Sequence, residues 1–185
     1  VYCNNAAELI LSDSTICLNN EITTSLAANS NITSEPPGVG VFNITGSNLT
    51  TLTFPNTAIT DSINYQLILT VGGNTNCPAI DTNIVTVYPT PLASAIPSAI
   101  DSCGPFTVNF TNTSNPYNGE DISSMSFEWY VEGQLIDSTQ NFTYTFESDS
   151  LDDIEYQVEL YATSQHDCFD STSFTITVYP DPIAN

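Results

Sequence analysis

Apolar and polar residues alternate along two segments near the end of the chain, from Tyr156 to Ala162 and from Phe174 to Val178. A period of two residues is that of a β-strand with one face in a core and the other in solvent. Pro180 ends the second segment, because proline has no amide hydrogen to donate to a neighbouring strand. The pattern predicts the last two strands of an all-β domain.

The segment Tyr156–Ala184 repeats the segment Tyr65–Ala93. With a constant shift of 91 residues and no gap, ten positions are identical, including Cys77 with Cys168 and the Thr-Val-Tyr-Pro run that closes each copy. Val1-Tyr2 precedes Val87-Tyr88 by 86 residues, the same shift that separates Cys17 from Cys103. A period near 90 residues suits independently folding sandwich domains. We therefore predict two domains, 1–88 and 89–185, with residues 1–2 resembling the end of a preceding module.

Short alternating segments separated by turn residues predict further strands in both modules. In the first module they are Glu21–Leu26, Val41–Ile44, Leu49–Phe54 and Asn83–Tyr88. In the second they are Phe106–Phe110, Ser126–Val131, Leu135–Ile136 and Phe142–Phe146. Trp129, the only tryptophan, lies in the middle of its segment, so we expect it in the core rather than in a ligand-stacking position.

The charge of the chain is one-sided. Its 185 residues include 21 Asp and Glu, no Lys, no Arg and one His, which gives a formal net charge of -21. Such a composition offers no basic surface to a nucleic acid and no lysine for an isopeptide bond, and we expect no internal salt bridge. No apolar run is long enough to cross a membrane, so no direct membrane insertion is predicted.

Five cysteines occur in the sequence, and four of them stand in equivalent positions of the repeat. From this register we predict disulfides between Cys17 and Cys77 and between Cys103 and Cys168, with Cys3 left over. Each bridge would close a loop of about 60 residues and imply an oxidising compartment. The alternative is a set of free thiols in a cytosolic protein.

Three segments of the second module together resemble a PKD domain, which is an immunoglobulin-like sandwich: Asp101–Phe110, Phe127–Gly133 and Tyr156–Pro182. The sequence departs from the family where its Gly-Asp-Gly motif is reduced to Glu132-Gly133. The first module is more loosely similar to the immunoglobulin-like repeats found beside PKD domains. Strings of such modules with Val-Tyr-Pro-x-Pro joints are similar to those in long secreted surface adhesins of gliding bacteria. The resemblance implies two tandem immunoglobulin-like (PKD-type) β-sandwich domains.

No residue pattern indicates catalysis. His166 lies in a polar connection, and we expect an exposed loop histidine there. Two acidic groups at loop positions are candidate Ca²⁺ ligands, since hard oxygen ligands suit that cation; the alternative is an ordinary solvated loop, and otherwise no cofactor is required. These residues are Glu147, Asp149, Asp152, Asp153 and Glu155, with Glu120 and Asp121. A recurring Asp-Ser-x pattern resembles a bacterial O-glycosylation motif and marks Ser14, Ser62, Ser138, Ser150 and Ser171.

The expected function is structural and adhesive. We predict disulfide-stapled spacer and interaction modules of a long extracellular cell-surface or filament protein, not an enzyme. The expected partners are neighbouring modules of the same long chain and surface glycans or other cell-surface proteins. The alternative is a carbohydrate-binding accessory module of a secreted hydrolase. An exposed coplanar aromatic row would favour it, and burial of Tyr130, Tyr144 and Tyr161 would count against it.

Overall fold

The computed structural model describes residues 9–12, 14–17, 21–25, 30–45, 49–54, 59–71, 79–148 and 151–181. The chain divides into two compact units, Val1–Pro89 and Thr90–Asn185. Within the described residues every regular element is a strand, apart from one turn of 3₁₀ helix at Ile122–Ser124. The predicted all-β class with two tandem β-sandwich domains is confirmed. No helix in this part of the chain has the length and apolar character needed to cross a membrane.

Unit 1 contains seven described strands arranged in two sheets. They are β1 (Thr15–Cys17), β2 (Glu21–Ser25), β3 (Ser30–Glu35), β4 (Gly40–Thr45), β5 (Leu49–Thr53), β6 (Ile63–Val71) and β7 (Ala79–Tyr88). One sheet has the order β1-β7-β6-β3 and the other β2-β5-β4. Leu52 of the smaller sheet and Leu67 and Val85 of the larger one are fully buried in a single core, so the two sheets pack face to face.

Unit 2 also has two sheets, and its last two strands are each one residue longer than the last two strands of unit 1. Its strands are β8 (Ala95–Pro97), β9 (Asp101–Cys103), β10 (Phe106–Asn112), β11 (Ser126–Val131), β12 (Gln134–Asp137), β13 (Phe142–Phe146), β14 (Ile154–Thr163) and β15 (Phe169–Tyr179). The sheets have the orders β12-β11-β14-β15-β9 and β13-β10-β8. In β14 and β15 the buried residues alternate with more exposed ones, as the sequence predicts.

The core of unit 2 is aromatic. Trp129 is fully buried, stacks on Phe142 with ring centroids 5.2 Å apart, and meets Phe110 at 5.5 Å. Its indole N–H donates to the carbonyl oxygen of Thr139 at 3.0 Å, so its polar atom is satisfied despite burial. The prediction that Trp129 is a core residue is confirmed.

Each unit pairs a short early strand with its last strand in parallel. In unit 1, β1 lies parallel to β7 with Cys17 opposite Tyr88. In unit 2, β9 lies parallel to β15 with Cys103 opposite Tyr179. The flanking hydrogen bonds are also equivalent, because Thr86 N–H donates to Ser14 O and Thr177 N–H donates to Ile100 O, both at 2.9 Å. The repeat seen in the sequence is thus a repeat of backbone topology.

Candidate functional site

The cysteines lie at the ends of the strands. Cys17 closes β1 beside the end of β7, and it is in a disulfide. Cys168, 1% exposed, directly precedes β15 and is also in a disulfide. Cys103 closes β9, and it is an exposed free thiol. The prediction of disulfides in this chain is therefore confirmed for two of the four cysteines named.

The predicted Cys103–Cys168 bridge is wrong. Cys103 lies opposite Tyr179, the last residue of β15, whereas Cys168 directly precedes Phe169, the first residue. Ten residues of extended strand separate those two ends by roughly 33 Å, while the Cα atoms of a disulfide lie within about 7 Å of each other. The partner predicted for Cys17, Cys77, lies outside the described residues.

In both units, an aspartate near the start of the last strand accepts a hydrogen bond from a backbone N–H group that precedes the first described strand. Asp81 Oδ2 accepts the N–H of Leu9 at 2.6 Å, and Asp170 Oδ2 accepts the N–H of Ala93 at 2.9 Å. Both backbone groups precede the first described strand of their unit. The sequence offered a weak signal, since both aspartates lie within five residues after a repeated cysteine.

His166 is not the exposed loop residue that the sequence predicts. Its side chain is 25% exposed, and Nε2 lies 2.9 Å from Oε1 of Glu120, whose side chain is 9% exposed. Asn118 and Ser124 also donate to Glu120. The expectation of no internal salt bridge is therefore wrong at this pair. That expectation considered only the absent Lys and Arg, whereas a protonated histidine can also form an ion pair with a carboxylate.

The candidate calcium ligands that the structure describes do not form one metal-binding group. Glu120 is hydrogen-bonded to His166. Asp121 caps the 3₁₀ turn by accepting the N–H of Ser123 at 2.9 Å. That hydrogen bond lowers the pKa of Asp121. Asp149 lies outside the described residues, and within the described ones no set of three or more His, Cys, Asp or Glu side chains is placed to hold a metal ion. Calcium binding by Glu147, Asp152, Asp153 and Glu155 stays a prediction.

The outer face of the five-stranded sheet in unit 2 carries two tyrosines and two glutamates. Tyr130 lies opposite Glu159, and Glu128 lies opposite Tyr161. The rings of Tyr130 and Tyr161 are 5.3 Å apart and inclined at 69°. Tyr130 donates its hydroxyl to Glu128 at 2.9 Å, and this bond raises the pKa of Tyr130. A depression beside them is lined by Glu159, Ser171, Thr172 and Ser173.

This face does not provide the coplanar aromatic row that a polysaccharide would need. Tyr130 and Tyr161 meet edge to face, and both are half-buried. Tyr144 is also half-buried, and it packs on Phe146 at 4.9 Å and on Phe142 at 5.8 Å. The geometry therefore gives no support to the alternative of a carbohydrate-binding accessory module.

The candidate glycosylation serines share an exposed position. Ser14, Ser62, Ser138 and Ser171 are exposed, and Ser150 lies outside the described residues. At one of them the preceding aspartate folds back on the backbone: Asp137 Oδ1 accepts N–H groups from Ser138 at 2.6 Å and Thr139 at 3.0 Å. These hydrogen bonds lower the pKa of Asp137, and the bond from Thr139 has the largest effect. Modification of these serines stays a prediction.

No protein-family model matches this sequence, and no curated protein matches it. Among solved structures, it is similar to the fibronectin(III)-like modules of Clostridium thermocellum CbhA at 12% identity and a TM-score of 0.41, covering 94% of each chain. It is similar to the Ig1-2 module of Drosophila receptor protein tyrosine phosphatase DLAR at 12% identity and a TM-score of 0.30, covering 95% of this chain and 98% of that one. It is also similar to Yersinia pseudotuberculosis adhesin InvE at 16% identity and a TM-score of 0.29, covering 91% of this chain and 58% of that one.

These likenesses carry no argument about function. Each unit is a β-sandwich, in which two sheets contribute residues to one core. The described residues offer exposed strand edges, an acidic tyrosine-bearing face and cysteines at strand ends.

Proposed function

We propose that this chain is a pair of load-bearing spacer and interaction modules of a long extracellular protein. The observation that carries the proposal is the parallel pairing of an early strand with the last strand in each unit, β1 with β7 and β9 with β15. A pull on the two ends of unit 2 is transmitted through β9 and β15. The same holds for β1 and β7 in unit 1.

Parallel terminal strands resist such a pull in shear. When β9 and β15 are drawn in opposite directions along their length, the hydrogen bonds between them are loaded together rather than one after another. Ile100 O accepts from Thr177 N–H at 2.9 Å and Gly104 N–H donates to Tyr179 O at 3.0 Å. Every second residue of a parallel strand bonds to its neighbour, so Ser102 is the middle bonding residue of β9.

The wider setting of the modules belongs to the same proposal. Cys17 and Cys168 are both disulfide-bonded, which suits an oxidising, extracellular compartment. The proposed partners are neighbouring modules of the same long chain, together with glycans or other proteins of a cell surface. The PKD-type family, a surface adhesin or filament as the parent protein, and a role without catalysis are proposed on the sequence resemblance.

Force spectroscopy of the chain held at its two ends tests the proposal. Ser102→Pro removes the amide hydrogen at the middle of β9, so the unfolding force of unit 2 should fall markedly. Leu135→Pro is the matched control, because it breaks the edge strand β12, which does not connect the two ends of the unit. The proposal fails if Leu135→Pro lowers the unfolding force as much as Ser102→Pro does, at equal loss of thermal stability.

A further inference from the structure

Cys103 is the one cysteine among the described residues that is a free thiol, and it is exposed. It closes β9 opposite Tyr179, at the end of the last strand of its unit. No cysteine of unit 2 can reach it, because Cys168 lies at the opposite end of β15, roughly 33 Å away along the strand. Any disulfide partner of Cys103 must therefore come from outside unit 2.

Unit 1 has a cysteine at the position equivalent to Cys103, and that cysteine is disulfide-bonded. Cys17 closes β1 opposite Tyr88, in the same parallel register as Cys103 opposite Tyr179, and Cys17 is in a disulfide. The two positions share the flanking hydrogen bond from the threonine two residues before the tyrosine. Two copies of one backbone arrangement thus carry the same residue, bonded in one copy and free in the other.

We propose that Cys103 is a cross-linking site, and that it forms a disulfide with a cysteine of another module of this kind outside residues 1–185. The bond forms by thiol–disulfide exchange. Two thiols lose two protons and two electrons as the sulfur–sulfur bond forms, and a disulfide oxidant such as oxidised glutathione takes them to become two molecules of reduced glutathione. The inference does not depend on the load-bearing role proposed above.

Disulfide mapping of the protein as isolated, without reduction, tests the inference. Free thiols are blocked with iodoacetamide at once, and pepsin digests the protein at low pH, because trypsin has no Lys or Arg to cleave and acid stops disulfide exchange. The expected result is a Cys103 peptide joined to a peptide from outside residues 1–185. A Cys103 peptide that carries the blocking group, or one joined to Cys3 or Cys77, overturns the inference.

Gel electrophoresis separates the two sources of the partner cysteine. A band that moves only on reduction identifies a second polypeptide, and an unchanged band with the cross-linked peptide identifies another module of the same polypeptide. Cys103→Ser should abolish the cross-link. The matched control Cys103→Ser/Gln140→Cys moves the thiol to another exposed position and should not restore the cross-link. A cross-link of equal yield at Gln140→Cys would show that exposure alone is responsible, and it would overturn the inference.

Discussion

The imidazole of His166 contacts the carboxylate of Glu120 across 46 residues of sequence, with Nε2 and Oε1 2.9 Å apart. The contact joins the loop before β11 to the loop before β15. Oε1 and Oε2 of Glu120 also accept hydrogen bonds from Asn118 and Ser124 within their own loop. Because the chain has no Lys or Arg, a protonated His166 is the side-chain cation that can form an ion pair with a carboxylate.

Acid should weaken unit 2 through Glu120. Burial would raise the pKa of Glu120, but hydrogen bonds from neighbouring side chains, followed by the charge of His166, bring it below its ordinary value of 4.5. A carboxyl group with a lowered pKa in the folded protein stabilises the fold above its unfolded pKa, and this contribution is lost as the pH falls through the folded pKa. The free energy of unfolding should therefore contain a Glu120 contribution that begins to decrease below about pH 4.5 and is lost as the pH falls through the lowered pKa of the folded protein.

Glu120→Gln isolates that contribution, because the overall relief of negative charge in acid affects every variant alike. Urea unfolding at pH 7 and pH 3, followed by the fluorescence of Trp129, reports unit 2 alone since the chain has one tryptophan. The difference in stability between the two pH values should be smaller for Glu120→Gln than for Glu155→Gln, an exposed carboxylate of the same unit. Equal differences for the two variants would contradict the assignment.

Replacing Trp129 should destabilise unit 2 selectively. Trp129→Ala removes a fully buried indole and its contacts with Phe142 and Phe110, and large aromatic deletions of this kind cost about 3–5 kcal/mol. Calorimetry should show a lower melting temperature for one transition and an unchanged second transition. Phe169→Ala serves as control, because Phe169 is 64% exposed and its loss should cost at most about 0.5 kcal/mol. A shared shift of both transitions would instead indicate that the two units unfold as one.

Gly104 should resist substitution for steric reasons. A Cβ atom there would collide with Cγ1 of Val178 and lie 2.8 Å from Cβ of Ser148, so Gly104→Ala should cost about 1–3 kcal/mol. Gly133 is the matched control, because it has open space around it but a φ of +71°. At Gly133, asparagine should be better tolerated than alanine; at Gly104, asparagine should be worse. Melting temperatures of the four variants decide between the two patterns.

The sequence predicted best where burial alternates regularly. Segments such as Ser126–Val131 and Phe142–Phe146 have the predicted bounds, because one face is packed and the apolar residues mark it. The strand β3 was not predicted, since Ser30–Glu35 is polar apart from Ile32 and is defined by pairing with β6. The start of β7 was also missed, and Ala79 to Thr82 are placed by their partners in β6 rather than by their own pattern.

The disulfide prediction failed for a different reason. Equivalent positions in two repeats show that residues play equivalent roles, but they do not show that two residues of one repeat are close together. Cys103 and Cys168 stand at opposite ends of β15 because β9 runs parallel to it. Parallel pairing of so short a strand has no signature in the sequence, since β9 has only three residues.

Cations provide the last test, because the chain carries a formal net charge of -21. Screening by monovalent salt should raise the melting temperature gradually, with a Debye length of about 10 Å at 0.1 M. A specific calcium site would add about 2.7 kcal/mol at a hundredfold excess over Kd and at constant ionic strength. Because Glu120 and Asp121 are engaged in internal hydrogen bonds, a calcium-specific increase should come from the 147–155 segment, and Asp152→Asn or Asp153→Asn should remove it. Equal effects of CaCl₂ and NaCl at equal ionic strength would contradict a calcium site in that segment.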